Sequence, residues 1–266
     1  MADSPISASR WLAAFPSDSE ATVRLVCIPH AGGGAVTFHP WARALRPHVE
    51  VFAAQLPGRE SRLKETPLRT LGEIVEPLAA AVAAVADRPL VVFGHSLGAV
   101  LAFEIVQRLP RDARARIAHL IVSGRPAPHL LSRAPRLAHL PQREIVFRIA
   151  ELYGNIPAAL LEEPEFVAML GAALQPDLEV LERYHRTERT PLPCSIAAYG
   201  GADDSLVSRG ELEAWREHTQ AQFRCVQMPG DHFYFKTAAG QQSLLAEIRE
   251  CCASAARHDG ARDTAV

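Results

Sequence analysis

At 266 residues, with 48% hydrophobic side chains and a formal charge of −2, the chain has ample material for a large core and no basic field to hold nucleic acid or an anionic membrane. No stretch stays apolar long enough for a membrane span, and residues 1–20 lack the basic-then-apolar pattern of a secretory signal. Five cysteines, an odd number without metal-ligand or Cys-x-x-Cys spacing, read as buried thiols, so a cytoplasmic protein is expected.

Residues 1–20 are rich in Ser, Ala and Pro around one apolar knot, Trp11-Leu12-Ala13-Ala14-Phe15-Pro16, expected to pack over the body of the domain. The first predicted strand, 22–28, ends in Pro29-His30-Ala31-Gly32-Gly33-Gly34. No Gly-Lys-Ser/Thr follows and no Gly-x-Gly-x-x-Gly is present, so this loop is a poor phosphate cradle. It reads either as a flexible surface turn or, with a better fit, as a loop lending a backbone N–H to an oxyanion hole. A short helix near 41–45 and a strand over 49–55 come next, closed by the Pro57-Gly58 turn. The predicted helix over 70–86 carries Pro77, where a kink is expected.

The strand over 90–95 runs directly into Gly94-His95-Ser96-Leu97-Gly98 and then into a helix reaching about 109. That is the pattern of a nucleophile elbow: a serine held in a sharp strand-to-helix turn, with glycines where a Cβ would collide. After a strand over 117–123 the rhythm changes, and residues 127–192 offer prolines and helical segments near 143–152, 164–173 and 176–184. An insertion after a strand's C-terminal end lies on the ligand-binding side of an α/β sheet, so it reads as a lid over Ser96 in preference to a structural appendage. Strand patterning returns at 194–199, followed by a helix over 209–218, a strand over 222–228 and a final helix over 238–255. The polar tail, 257–266, is expected to be disordered. Continuous apolar strands alternating with helices predict one α/β domain with a mostly parallel central sheet covered on both faces.

An acid at one strand end and a histidine at the next, both after the serine, follow the order Ser, Asp, His of α/β hydrolases. Ser96 would attack an acyl carbon and His232, in the last strand-end loop, would shuttle its proton. The acid is Asp203 or Asp204, and the Gly-x-x-Asp-x-x-Val spacing from Gly201 to Val207 favours Asp204. Asp231 reads as a turn-capping residue. His95, adjacent to the nucleophile, is expected to point away from the site, and His30 to support its loop. The oxyanion hole would use the backbone N–H groups of Leu97 and Ala31.

Together, Pro29-His30-Ala31-Gly32-Gly33, Gln55-Leu56-Pro57-Gly58-Arg59-Glu60, Gly94-His95-Ser96-Leu97-Gly98, Tyr199-Gly200-Gly201 through Asp204, and Pro229-Gly230-Asp231-His232-Phe233 resemble the type II, stand-alone thioesterases of polyketide and nonribosomal peptide synthesis. The resemblance covers about residues 22–250. It departs at Gly34, where a small polar residue is common. It implies the α/β-hydrolase fold and hydrolysis of acyl thioesters on the phosphopantetheine arm of acyl or peptidyl carrier proteins, acyl-CoA being a further possible substrate. It also implies a mobile helical lid, no metal or organic cofactor, and action as a monomer. A general carboxylesterase or lipase of the same fold, a carrier-protein acyltransferase and a silent acyl-binding module remain as alternatives.

Overall fold

The computed structural model describes residues 9–186 and 190–263, with side chains to residue 257. Seven strands form one sheet: β1 Leu12–Ala14, β2 Val23–Ile28, β3 Val49–Ala54, β4 Leu90–His95, β5 Ile117–Ser123, β6 Ser195–Gly201 and β7 Phe223–Met228. Their spatial order is β1-β3-β2-β4-β5-β6-β7. All neighbours pair in parallel except β1, which runs antiparallel to β3. The apolar knot around Trp11 packs on the body of the domain as expected, with Leu12 in the core and Trp11 and Phe15 against it, and does so as an edge strand.

The helices are α1 His39–Leu45, α2 Leu71–Ala84, α3 Leu97–Arg108, α4 Arg111–Ala115, α5 Gln142–Tyr153, α6 Ala158–Leu161, α7 Pro164–Arg183, α8 Arg209–Glu213 and α9 Ala238–Asp263. Alternation along β4 divides the core in two. Leu90 and Val92 pack in a cluster with residues of α2 and α3, while Val91 and Phe93 pack with residues of α1 and α9 on the other face. Both faces are covered, which is why the inner strands are mostly apolar, whereas β7 at the edge is only partly buried and carries Arg224 and Gln227. At the start of α2, Thr70 accepts the Glu73 N–H and Glu73 reaches back to the Thr70 N–H, a complete capping box.

The segment between β5 and β6 carries α5, α6 and α7 and has its own apolar cluster, with Ile145, Val146, Ile149, Val167, Leu174 and Leu178. Two expectations fail here and at the C-terminus. First, α7 is one helix that runs through Pro176, where the sequence suggested two; a missing donor on one turn is tolerated where the helix is held on both sides of it. Second, α9 continues to Asp263, past the expected start of a disordered tail at 257; residues 264–266 lie outside the described residues. No helix among the described residues is long and apolar enough to cross a membrane.

Candidate active site

Parallel pairing brings the C-terminal ends of β2, β4, β5, β6 and β7 to one edge of the sheet, and every predicted site residue lies at that edge, Leu97 as the first residue of α3 and the others in loops. Ser96, between β4 and α3, has φ 55° and ψ −113°, a left-handed conformation costly for a residue with a Cβ. The turn is held by the Ser96 N–H donating to the Ser123 carbonyl at 2.8 Å and the Ala99 N–H donating to the Ser96 carbonyl at 3.0 Å. A Cβ on Gly94 would overlap the Gly98 carbonyl, and one on Gly98 would overlap the Ile28 carbonyl. The glycines thus let α3 start against the end of β2 with its positive dipole end beside the serine.

His232, 5% exposed, follows β7, and its Nδ1 lies 2.6 Å from Asp204 Oδ2 in the loop after β6. The Asp204 side chain is itself 2% exposed, and its Oδ1 accepts the Leu206 and Val207 N–H groups at 2.9 and 3.2 Å. Asp203 is exposed, and Asp231 caps its own turn by accepting the Phe233 N–H. The two loops meet because Gly201 carries no side chain where a Cβ would strike the Asp231 carbonyl. Of the two candidate acids, Asp204 is the one whose carboxylate meets the imidazole.

In the loop after β2, Ala31 lines the same cavity as Ser96 and His232. The Gly32 N–H is occupied by the Asp177 carboxylate at 2.8 Å, and the Gly33 N–H by the His30 carbonyl at 2.9 Å. The Ala31 and Leu97 N–H groups, by contrast, donate to no protein acceptor among the described residues. Glu60 accepts the Ala35 and Val36 N–H groups, and its carboxylate fills the space that a side chain on Gly34 would need.

His30 stacks edge-on against Phe233, and burial, then the charges of Lys236, His232 and Arg59, push its pKa down to about 3. It is a neutral support for its loop. His95 does not point away from the site: its ring lies 4.8 Å from that of His232, and its Nδ1 is 2.9 Å from Ser123 Oγ, which contacts the Tyr234 hydroxyl. Burial holds His95 well below the usual histidine pKa, so no second positive charge develops beside His232. Tyr153, at the end of α5, stacks on His232 at 4.6 Å; burial and the Asp204 charge raise its pKa to about 12. It stays a phenol. The sequence offered no signal for Tyr153 or for Lys236, which lines the cavity, because neither lies in a motif with assigned chemistry.

Two cavities meet at Ser96. One, about 220 Å³, has apolar walls from Ile156, Leu160, Phe166, Leu170 and Leu174, and His30, His232 and Lys236 also line it. The other, about 250 Å³, includes Arg125, Arg136, His129, His185 and Arg186. Ile149, Tyr153, Leu178 and Leu181 belong to both and form the partition.

The family model described as thioesterase domain matches residues 23–252. The gramicidin S biosynthesis protein GrsT of Aneurinibacillus migulanus is 36% identical over 226 residues, 85% of this chain and 88% of that protein. The thioesterase PikA5 of Streptomyces venezuelae is 36% identical over 239 residues, 88% of this chain and 84% of that protein. The solved structure of the type II thioesterase BorB from the borrelidin biosynthetic cluster superposes with a TM-score of 0.83 at 34% identity, covering 92% of this chain and 98% of that one. The chain therefore belongs to the thioesterase family, on the α/β-hydrolase fold, and is of the type II kind found in polyketide and nonribosomal peptide pathways.

Proposed function

We propose that Ser96, His232 and Asp204 form the catalytic triad, that the Ala31 and Leu97 N–H groups form the oxyanion hole, and that the substrate is an acyl group on the phosphopantetheine arm of an acyl or peptidyl carrier protein in the cytoplasm. The observation that carries the substrate reading is the junction of two unlike cavities at Ser96. An acyl chain suits the apolar one. The cavity with Arg125, Arg136 and Arg186 suits a polar arm ending in a phosphodiester. A small ester with two apolar ends has no use for that second half.

In the first step the Ser96 oxygen bonds to the thioester carbon while His232 Nε2 takes the hydroxyl proton, and Asp204 balances the imidazolium. The tetrahedral oxyanion points at the two N–H groups. Collapse breaks the C–S bond, and the departing sulfur takes the proton from His232. In the second step water attacks the acyl-Ser96 ester with His232 again as base, releasing the acid and restoring the serine. The insertion over 127–192 acts as a lid: α5, α6, α7 and the loop between α5 and α6 supply most of the acyl chamber's wall, so their movement would control entry.

The test is mass spectrometry of a carrier protein loaded with acetyl or propionyl phosphopantetheine, incubated with the protein and with Ser96→Ala, beside the matching acyl-CoA and a simple oxygen ester. Loss of acyl mass with the unaltered protein alone is expected. Cleavage of the oxygen ester without cleavage of the carrier thioester would favour a general esterase.

A further inference from the structure

Asp177 belongs to α7, in the insertion, yet its side chain is 1% exposed and grips the loop after β2. Asp177 Oδ2 accepts the Gly32 N–H at 2.8 Å and Arg59 Nη1–H at 2.7 Å, and Oδ1 accepts Arg59 Nη2–H at 2.9 Å. Arg59 Nη1 also donates to the Gly33 carbonyl at 3.1 Å. One bidentate ion pair therefore holds a donor and an acceptor of the peptides just after Ala31. The contact has an apolar half as well, because a Cβ on Gly32 would come within 2.8 Å of Leu174 Cδ2 and 3.1 Å of Leu170 Cδ1, both on α7.

A run of three glycines needs such a hold. Gly32 has φ 72°, and glycine peptides on either side of it rotate at little steric cost. Rotation of the Ala31–Gly32 peptide would put the Ala31 carbonyl where the Gly32 N–H now meets Asp177, and the change in Ala31 ψ that this needs would loosen the residue whose own N–H belongs to the preceding peptide. An apolar pair of similar volume would pack as well as this buried ion pair. It would not supply an acceptor for Gly32.

We infer that Asp177 is a positioning residue: by accepting the Gly32 N–H it fixes the loop so that the Ala31 N–H faces the oxyanion, tying the helix that walls the acyl chamber to the hole that stabilises the transition state. The inference rests on the reading of Ser96 as nucleophile and Ala31 as oxyanion donor. It adds that a displaced α7 lowers the rate of the chemical step rather than binding alone.

Two double variants isolate the Gly32 bond from the charges. Asp177→Asn/Arg59→Met removes both charges and keeps an oxygen for Gly32; Asp177→Leu/Arg59→Met removes both charges and the oxygen. The readouts are capture of Ser96 by a fluorophosphonate, split into kinact and KI, and kcat and KM on propionyl carrier protein. The asparagine variant is expected to exceed the leucine variant by about 10- to 100-fold in kinact and kcat, somewhat less than outright loss of one oxyanion donor, with KI and KM within about twofold. Equal rates, or a difference confined to KI and KM, overturn the inference. Amide exchange of the unaltered protein tests the same bond without a variant: slow exchange at Gly32 is expected, and exchange at the rate of an open loop overturns it. Failure of the substrate reading looks different, since Ser96 would then capture the probe while the carrier thioester stays intact. No capture by the unaltered protein would overturn the nucleophile assignment and this inference with it.

Discussion

Asparagine at position 204 probes the proposed triad at its most sensitive atom. Asp204 Oδ1 accepts two backbone N–H groups, from Leu206 and Val207, and Oδ2 faces His232 Nδ1. An amide here keeps its one oxygen on the two backbone donors, because the opposite orientation sets an NH2 against them. The NH2 then faces His232 Nδ1 and makes it an acceptor, so the ring proton moves to Nε2, the nitrogen that has to take the proton from Ser96. The wrong tautomer costs about 10⁴-fold in kcat, or about 5 kcal/mol of barrier. Asp204→Ala removes the carboxylate without imposing a tautomer. Asp204→Asn is therefore expected to be at least as damaging to turnover while melting higher, since only asparagine leaves an acceptor on the 206 and 207 amides. The exposed neighbour supplies the control, with Asp203→Asn expected within about twofold of the unaltered protein, as for a surface substitution. Single-turnover release of propionate from a carrier protein, followed by mass spectrometry beside thermal melts, reads all three. A loss below tenfold in Asp204→Asn, or equal damage from Asp203→Asn, refutes the reasoning.

Burial holds His95 well below its usual pKa, His30 down to about 3 and His218 down to about 4. Below about pH 6.5 the unfolded chain binds protons that the folded one does not, so stability is full above that pH and falls on acidification by about 1.4 kcal/mol per pH unit for each histidine. Denaturant melts between pH 7 and 5 check this, and a flat profile contradicts it. In the apolar cavity proposed to hold the acyl chain, Leu160→Trp is expected to exclude about two methylenes and lower kcat/KM for octanoyl carrier protein about tenfold, with acetyl unaffected, as a chain-length series would show. Thr70→Ala removes the N-cap of α2 and is expected to cost about 1 kcal/mol, lowering Tm by about 2–4 °C with turnover unchanged.

The parts of the fold legible in the sequence are those whose signal is local. Parallel strands covered on both faces are mostly apolar, so β2 to β6 stand out, and the elbow announces itself by two glycines around a serine. Strand β1 has three residues, too few to show a period, and exists because β3 offers it an edge. The continuity of α7 through Pro176 was hidden because proline normally argues for a break. The triad order was readable, but the choice between Asp203 and Asp204 turned on which carboxylate is buried, and spacing only hinted at that. The Arg59–Asp177 pair spans 118 residues and was invisible for the same reason: nothing local marks an aspartate in a helix as the partner of a loop arginine.

The backbone of Ser96 sits at φ 55°, a conformation that glycine adopts freely and serine does not. Were position 96 glycine, the turn would relax and the folded state would gain up to about 1 kcal/mol while losing the proposed nucleophile. The most stable occupant of this position is thus one that does no chemistry. If Ser96 is the nucleophile proposed above, selection for stability alone would carry the protein away from its activity, and selection for turnover is what keeps a side chain at the tip of β4.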